Sequence, residues 1–322
     1  MSPLLSNIYE AQRNRWRAVT LEMQRLEEEN NRIFIEAYGL QYEIAPEVPL
    51  KEITLACNPN YRYGGNRSET ELEKMLLSDT IKELLSYAVG CMMGRYSLDE
   101  PGLIYANADN KDFDHSRYKK FPADADGIIP ILDTDWYFND DIVKRFHEFL
   151  QTVFSEKYLT ANIQFIESVL DKSIRDFFVK DFWGDHLKRY KKRPIYWLFS
   201  SGKNKAFQCL VYLHRYNAVT LPRMRTEYVI PLAGRIRKRL DDIDESIQNN
   251  ETIIKSSKQR LEKEREQLNK QLNEIKVFDD KLRHATDMKI EIDLDDGIKV
   301  NYAQFGDLLS DVKIISGVTT ED

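Results

Sequence analysis

Apolar positions near the start of the chain recur at alternating steps of four and three. Val19, Met23, Leu26, Asn30, Ile33, Ala37 and Leu40 form one seam, apolar except at Asn30, with largely polar residues between them. That spacing predicts a long helix over the first forty residues, ended by Gly39 and then by Pro46 and Pro49. The stretch EITLACNPNYRYGGNRSE reads as a strand followed by a loop. A helix is predicted from Ser68, with Glu71 three residues on as a capping-box partner, running to Met93 before Gly94. From Arg95 to Pro130 the chain is rich in Asp, Asn, Gly and Pro and reads as a long ordered loop. GIIPIL at its end predicts a short strand. Helices are predicted over 140–154, 160–170 and 173–190. The runs PIYWLFSS and AFQCLVYLHRY, joined by GKNK, then predict a hairpin with a basic tip.

A seven-residue repeat follows. Leu240, Ile247, Ile254, Leu261, Leu268, Ile275 and Leu282 recur without a break, while the companion seam position is apolar at Ile243 and Phe278 and polar at Asn250, Ser257, Glu264 and Gln271. The pattern predicts one helix of about fifty residues, roughly 75 Å long, packing through a narrow stripe. Its favoured partner is the N-terminal helix in an antiparallel pair, with self-association the other arrangement the seams allow. The tail KIEIDLDDGIKVNYAQFGDLL reads as a short hairpin around Asp296-Gly297 and a helical turn. The expected fold is mainly α with small β elements (α+β). Its parts are a connector helix over 1–40, a mixed α/β domain over 41–220, a heptad-patterned helix over 221–290, and a hairpin with tail over 291–322.

The chain has 322 residues, 42% of them hydrophobic, enough for a sizeable core. No run of about 18 apolar residues is present, so no membrane span is expected. The N-terminus has no apolar signal region, and Cys57, Cys91 and Cys209 match neither a zinc spacing nor a disulfide framework. These features suit a cytoplasmic protein. The formal net charge of −6 hides a block: Lys188 to Arg239 holds fourteen Lys and Arg against one acid, Glu227. A local block of this kind is the footprint that phosphate binding needs, whatever the total.

Few motifs carry chemistry. Asn58-Pro59-Asn60-Tyr61 echoes the Asn/Asp-Pro-Pro-Tyr/Phe string of adenine methyltransferases, whose Asn and Pro carbonyl hold the target amino group while the aromatic stacks on the base. Here Asn stands third, and no Gly-rich cofactor loop precedes it, so a turn is the expected role. Asp109, Asp112, Asp114, His115, Asp133 and Asp135 show no metal-binding spacing. Asp293, Asp295, Asp296 and Gly297 echo a calcium loop, but the Gly falls one position early and the closing Glu is absent. No nucleophile elbow, phosphate loop or His-Glu-x-x-His motif occurs. No catalytic, cofactor or metal residue is assigned, and the chain alone is expected to be inactive.

The candidate interface is therefore the basic aromatic block. Lys188, Arg189, Lys191, Lys192 and Arg193 lead into the first aromatic run. Ser200, Ser201, Lys203, Asn204 and Lys205 form the hairpin tip, and Arg215, Arg223 and Arg225 follow the second run. Lys and Arg supply charge for phosphate, and Ser and Asn orient. Tyr196, Trp197, Phe199 and Phe207 are expected in the core.

Several long strings carry a family resemblance. LLSYAVGCMMGRYSLDEPGLIYAN, KRPIYWLFSSGKNKAFQCLVYLHRYN and DLDDGIKVNYAQFGDLL resemble the C-terminal half of the BREX phage-defence adenine-specific DNA methyltransferases, the PglX-like family. NRIFIEAYGLQYEIAPEV resembles its linker region. The resemblance implies a target-recognition and helical-spacer fragment that binds double-stranded DNA. It implies partnership with a catalytic methyltransferase domain and other BREX proteins, and S-adenosylmethionine as the cofactor of the full-length family only. Within the recognition role, the KRPIYWLFSSGK stretch singles out Lys192, Arg193, Ser200, Ser201 and Lys203. The alternative is a structural module that docks onto other defence-complex proteins.

Overall fold

The computed structural model describes residues 4–134, 137–248 and 255–310. Ile254 of the heptad series, Asp135 of the acidic segment and the last part of the tail lie outside the described residues. In chain order the first helices are α1 (Leu5–Tyr38), α2 (Pro59–Tyr63), α3 (Glu69–Met92), α4 (Ile142–Phe154) and α5 (Leu159–Leu170). Then come α6 (Ile174–Asp176), α7 (Phe182–Arg189), α8 (Thr220–Arg223), α9 (Ile230–Gln248), α10 (Lys255–Asp287) and α11 (Ile298–Gln304). The strands are β1 (Ile128–Pro130), β2 (Tyr196–Ser200) and β3 (Gln208–Tyr212). The chain is mainly α with small β elements. It divides into two compact units, one of residues 1–85 and 150–174, the other of residues 86–149 and 175–322.

In the first unit α1 is stopped as its sequence predicts, by Gly39 in the left-handed region at φ 70°. The following loop folds back on α1, with Gln24 Nε2 donating to the Val48 carbonyl and Asn31 Nδ2 to that of Pro46. Farther along, the Leu5 amide donates to Asn162 Oδ1 of α5 at 2.8 Å, and Arg13 makes a two-pronged bond to Glu73 of α3 at 2.7 and 2.6 Å. The capping box forms at the head of α3. The Ser68 amide donates to Glu71 Oε2 at 2.8 Å, and the Glu71 amide donates to Ser68 Oγ at 3.3 Å.

The strand expected over EITLAC does not form. Asn58, only 1% exposed, donates from Nδ2 to the Leu50 and Ile53 carbonyls at 2.6 and 2.9 Å, and its Oδ1 accepts the Asn60 amide. One side chain thus folds the segment into turns and caps α2. Sheet pairing would need those backbone groups. The Asn-Pro-Asn-Tyr string is a helix start.

The second unit is built on a three-stranded antiparallel sheet in the order β1-β3-β2, with Trp197 opposite Val211 and Ile128 opposite Val211 on its other side. The hairpin and the GIIPIL strand form where expected. Both faces of the sheet are covered: Tyr196, Trp197, Phe199 and Phe207 are all within 2% of complete burial, so these aromatics are core. The helix expected over 173–190 contains a π turn at Phe177–Asp181 between α6 and α7.

The heptad repeat is shared by two helices instead of running along one. Three cross-helix ion pairs fix their direction: Arg225 to Asp279, Arg239 to Glu264, and Asp244 to Arg265. From Arg225 to the Arg239 and Asp244 pairs the partner number falls from 279 to 264 and 265, so the Arg225–Gln248 stretch and α10 are antiparallel. Leu240 and Ile243 of α9 meet Leu268, Ile275, Phe278 and Leu282 of α10 in one core. The antiparallel partner of α10 is therefore α9, its sequence neighbour, and α1 packs in the other unit.

The hairpin expected around Asp296-Gly297 is absent among the described residues. Asp293 Oδ1 accepts the Asp295 amide, and Asn301 both accepts from the Asp293 amide and donates to its carbonyl. These side-chain bonds close a turn onto α11 and take the groups a hairpin ladder would use.

Candidate nucleic-acid interface

The basic block begins at the last turn of α7, where cations suit the negative end of the helix dipole. Lys188 is exposed, while Arg189 pairs with Asp185 at 3.0 Å one turn back. Lys191 and Lys192 follow with φ of 49° and 63°. Two successive lysines in the left-handed region are costly, at roughly 1–2 kcal/mol each. What holds them is the helix cap: the Lys192 amide donates to the Leu187 carbonyl at 2.7 Å and the Lys191 amide to that of Lys188 at 3.2 Å. The turn feeds Arg193 directly into β2. Lys188, Lys191, Lys192 and Arg193 are all exposed, and none forms an ion pair with a described residue.

The fold brings a further cation to this turn. Lys191, Lys192 and Arg193 share a shallow concavity of about 580 Å³ with Lys299 at the start of α11, and with Asp296 on its rim. Lys299 stands alone in GIKV, about a hundred residues beyond Arg193, with acids just before it. No local signal marks it, and only the docking of the tail beside α7 reveals it. The block also continues past the assigned residues, because Arg235, Arg237 and Lys238 are exposed on α9.

The hairpin tip is arranged otherwise. Glu274 of α10 lies beneath it and accepts four hydrogen bonds: Ser201 Oγ at 2.7 Å, the Asn204 amide and Nδ2 at 2.8 Å each, and the Ala206 amide at 3.1 Å. Gly202, at φ 138°, lies so close that a Cβ there would sit 3.2 Å from the Glu274 carboxyl carbon. Lys205 turns inward and donates to the Val179 carbonyl at 2.7 Å; burial, then Lys180, pull its pKa down. Ser200 accepts from Gln208 Nε2 at 3.3 Å. Of the tip residues only Lys203 is exposed and without a polar partner.

Beyond the hairpin the arginines are engaged in the fold. Arg215 is 1% exposed; it donates to the Asp124 and Ala125 carbonyls at 2.7 and 3.0 Å and to Asn110 Oδ1 at 3.1 Å. Its guanidinium also lies 3.8 Å from the Phe113 ring centroid, and burial lowers its pKa. Reaching a phosphate would mean abandoning all of these contacts. Arg223 pairs with Glu227 at 3.2 Å and Arg225 with Asp279 at 2.8 Å. The thirteen residues assigned from sequence thus divide. Lys188, Lys191, Lys192, Arg193 and Lys203 face solvent, while Arg189, Ser200, Ser201, Asn204, Lys205, Arg215, Arg223 and Arg225 have partners within the fold.

A partly buried acid cluster lies elsewhere in the same unit. The Tyr228 hydroxyl is 2.8 Å from Asp140 Oδ2 and 3.1 Å from Asp126 Oδ2, and Asp124 Oδ1 accepts the Asp126 and Gly127 amides. Burial, then the neighbouring Asp124 charge, push the Asp126 carboxyl up to about 7. Among the described residues no three His, Cys, Asp or Glu side chains are placed to hold a metal ion, and no helix is long and apolar enough to cross a membrane.

The comparisons with known proteins point one way. No family model matches the chain. It is 48% identical over 314 residues to the adenine-specific methyltransferase BrxX of Escherichia coli O9:H4 (strain HS), covering 92% of this chain and 26% of that protein. The chain corresponds to one segment of such methyltransferases. It is likewise 38% identical over 299 residues to the adenine-specific methyltransferase PglX of Lacticaseibacillus casei (strain Zhang), covering 90% of this chain and 23% of that one. It therefore spans about a quarter of the length of the BrxX and PglX proteins it matches. As a candidate seat for adenine, the Asn58-Pro59-Asn60-Tyr61 string does not fit: both polar atoms of the Asn58 side chain are already bonded to backbone.

Proposed function

We propose that this chain is a DNA-binding target-recognition segment of an adenine-specific methyltransferase of the BREX type. The observation that carries the reading is the turn between α7 and β2. There Lys188, Lys191, Lys192 and Arg193 project with no acidic partner among the described residues, and Lys299 joins them from α11. Uncompensated cations on a strained but well-capped turn suit a phosphate backbone, which supplies most of the affinity of a protein for duplex DNA. A segment of this kind positions the duplex. Methyl transfer and S-adenosylmethionine binding are not assigned to any of its residues.

The family likeness supports a DNA substrate, because the relatives are adenine-specific methyltransferases. The partner is then double-stranded DNA, in a cytoplasmic phage-defence complex that includes a catalytic methyltransferase domain. Contacts to phosphate fix register, whereas reading of bases needs donors and acceptors on groove edges. Ser200, Ser201 and Asn204 are poor base readers in this arrangement, since their side chains are bonded within the hairpin and to Glu274.

The test is duplex affinity at several salt concentrations. For B-DNA the slope of log affinity against log salt is about −0.9 per phosphate contact. Replacing Lys191, Lys192 and Arg193 by Ala should flatten the slope by roughly 2–3 units and weaken all sequences alike. Equal slopes for the wild type and the triple variant would refute the reading.

A further inference from the structure

The seam along α1 is left uncovered by the fold. Val19 is 49% exposed, Leu26 48% and Ile33 59%, and Phe34 and Tyr38 beside them are also open to solvent. At 100° per residue Val19, Leu26 and Ile33 lie on the side of α1 away from Gln24, Glu28 and Asn31, which hold the returning loop, and Phe34 and Tyr38 lie on the flank between the two. Within α1 the seam from Val19 to Ala37 is about 27 Å long at 1.5 Å per residue. A row of apolar side chains of this length marks an interaction surface.

The polar residues around the seam specify what it takes. In heptad terms Met23, Asn30 and Ala37 occupy one core position of α1, and Val19, Leu26 and Ile33 the other. Glu22, Glu29 and Glu36 then form a row on one flank, with Glu27 on the other. Arg25 bonds Glu22 and Glu29 from the side away from the seam. Asn30 is exposed and makes no side-chain hydrogen bond with a described residue. A lone Asn in a core position sets register and demands a polar counterpart, and the flanking charges select the partner.

A second copy fits poorly. Laid parallel, it matches Asn30 with Asn30 but sets Glu22 against Glu27. Laid antiparallel and centred on Asn30, it sets the glutamate row against itself. We propose that α1 is a docking surface for a helix of a protein partner that carries an apolar heptad seam, one polar core residue, and Lys or Arg on its flanks. This surface is independent of the cationic turn, so its failure leaves the DNA reading untouched.

The probe is a designed helix of about four heptads with Ile and Leu in the core, one Asn aligned with Asn30, and Lys on both flanks. The control is the same helix with Glu on both flanks. Fluorescence anisotropy with the full chain should show the Lys probe binding at least about tenfold more tightly than the Glu probe. Leu26→Asp with Ile33→Asp should abolish binding. Glu22→Lys with Glu29→Lys and Glu36→Lys should reverse the preference, and this variant decides the matter even if the first loses helix. Equal affinity for the two probes, no binding of either, or a dimer of the chain that the Leu26 and Ile33 substitutions dissolve would each overturn the proposal.

Discussion

The hairpin that follows the cationic turn depends on a carboxylate from a distant helix, and removing it is the most direct way to test how that region is held. Glu274 of α10 accepts four hydrogen bonds from Ser201, Asn204 and Ala206. A hydrogen bond to a charged group contributes about 1.5–3 kcal/mol, and a buried donor left unsatisfied costs about 1–3 kcal/mol. The donors here are only part-buried and regain water in a truncated variant, so the four do not add in full. Glu274→Ala should therefore cost about 2–4 kcal/mol. In a unit of this size that is a fall in melting temperature of roughly 5–15 °C. Glu274→Gln keeps one acceptor oxygen but turns an NH2 toward the remaining donors, so most of the loss should persist. Thermal unfolding followed by near-ultraviolet circular dichroism reads both variants. If both melt as the wild type does, the tip is not fastened by this carboxylate. Ser201 and Asn204 would then be free to contact bases.

Other outcomes follow from the same structure. Asp126 has its carboxyl raised to about 7, so between pH 4 and 7 the unfolded chain releases a proton that the folded chain retains. Stability should fall as pH rises through that window and level off above it. Asp126→Asn should flatten the decline in melts taken across pH 4–8, and an unchanged pH profile would count against the assignment. Leu268→Asp with Ile275→Asp places two charges in the seam between α9 and α10. Chemical denaturation should show a loss above about 4 kcal/mol or no folded second unit, and a normal midpoint would mean the helices do not pack through this seam. Asn58→Ala removes three hydrogen bonds from a residue 1% exposed. Hydrogen exchange should show the Leu50 to Arg62 backbone opening faster, and unchanged protection would refute the capping role.

What could be read from the sequence is what local chemistry decides. Ser68 and Glu71 announce the head of α3 because both halves of the capping box lie within four residues. The β2–β3 hairpin is legible because two apolar runs flank the short turn GKNK. The misreadings share a cause, in that a side chain competes with backbone pairing through bonds that composition does not reveal. Asn58 draws in the Leu50 and Ile53 carbonyls where a strand was expected. Asn301 closes the Asp293 turn where a hairpin was expected. The heptad repeat failed differently. Periodicity reports which face of a helix is apolar but not where the chain reverses.

The candidate interface shows the limit of a charge count more sharply. Fourteen cations within Lys188 to Arg239 look alike in sequence, yet burial and pairing separate them into unlike groups. Arg215 holds two carbonyls and an amide oxygen in the interior, and Arg225 and Arg239 tie α10 to the helices against it. Each is charged for the sake of the fold. Lys191 and Lys192 are different: their backbone occupies a conformation that Gly adopts more cheaply, and their side chains reach no acid among the described residues. A fold with no use for those charges would be more stable with Gly at either position, by the roughly 1–2 kcal/mol of left-handed backbone. That argument yields its own outcome. Lys191→Gly and Lys192→Gly should each raise the melting temperature while weakening DNA binding, a trade seen where strain is retained for function. A loss of stability in both variants would show that these lysines serve the fold, as Arg215 does.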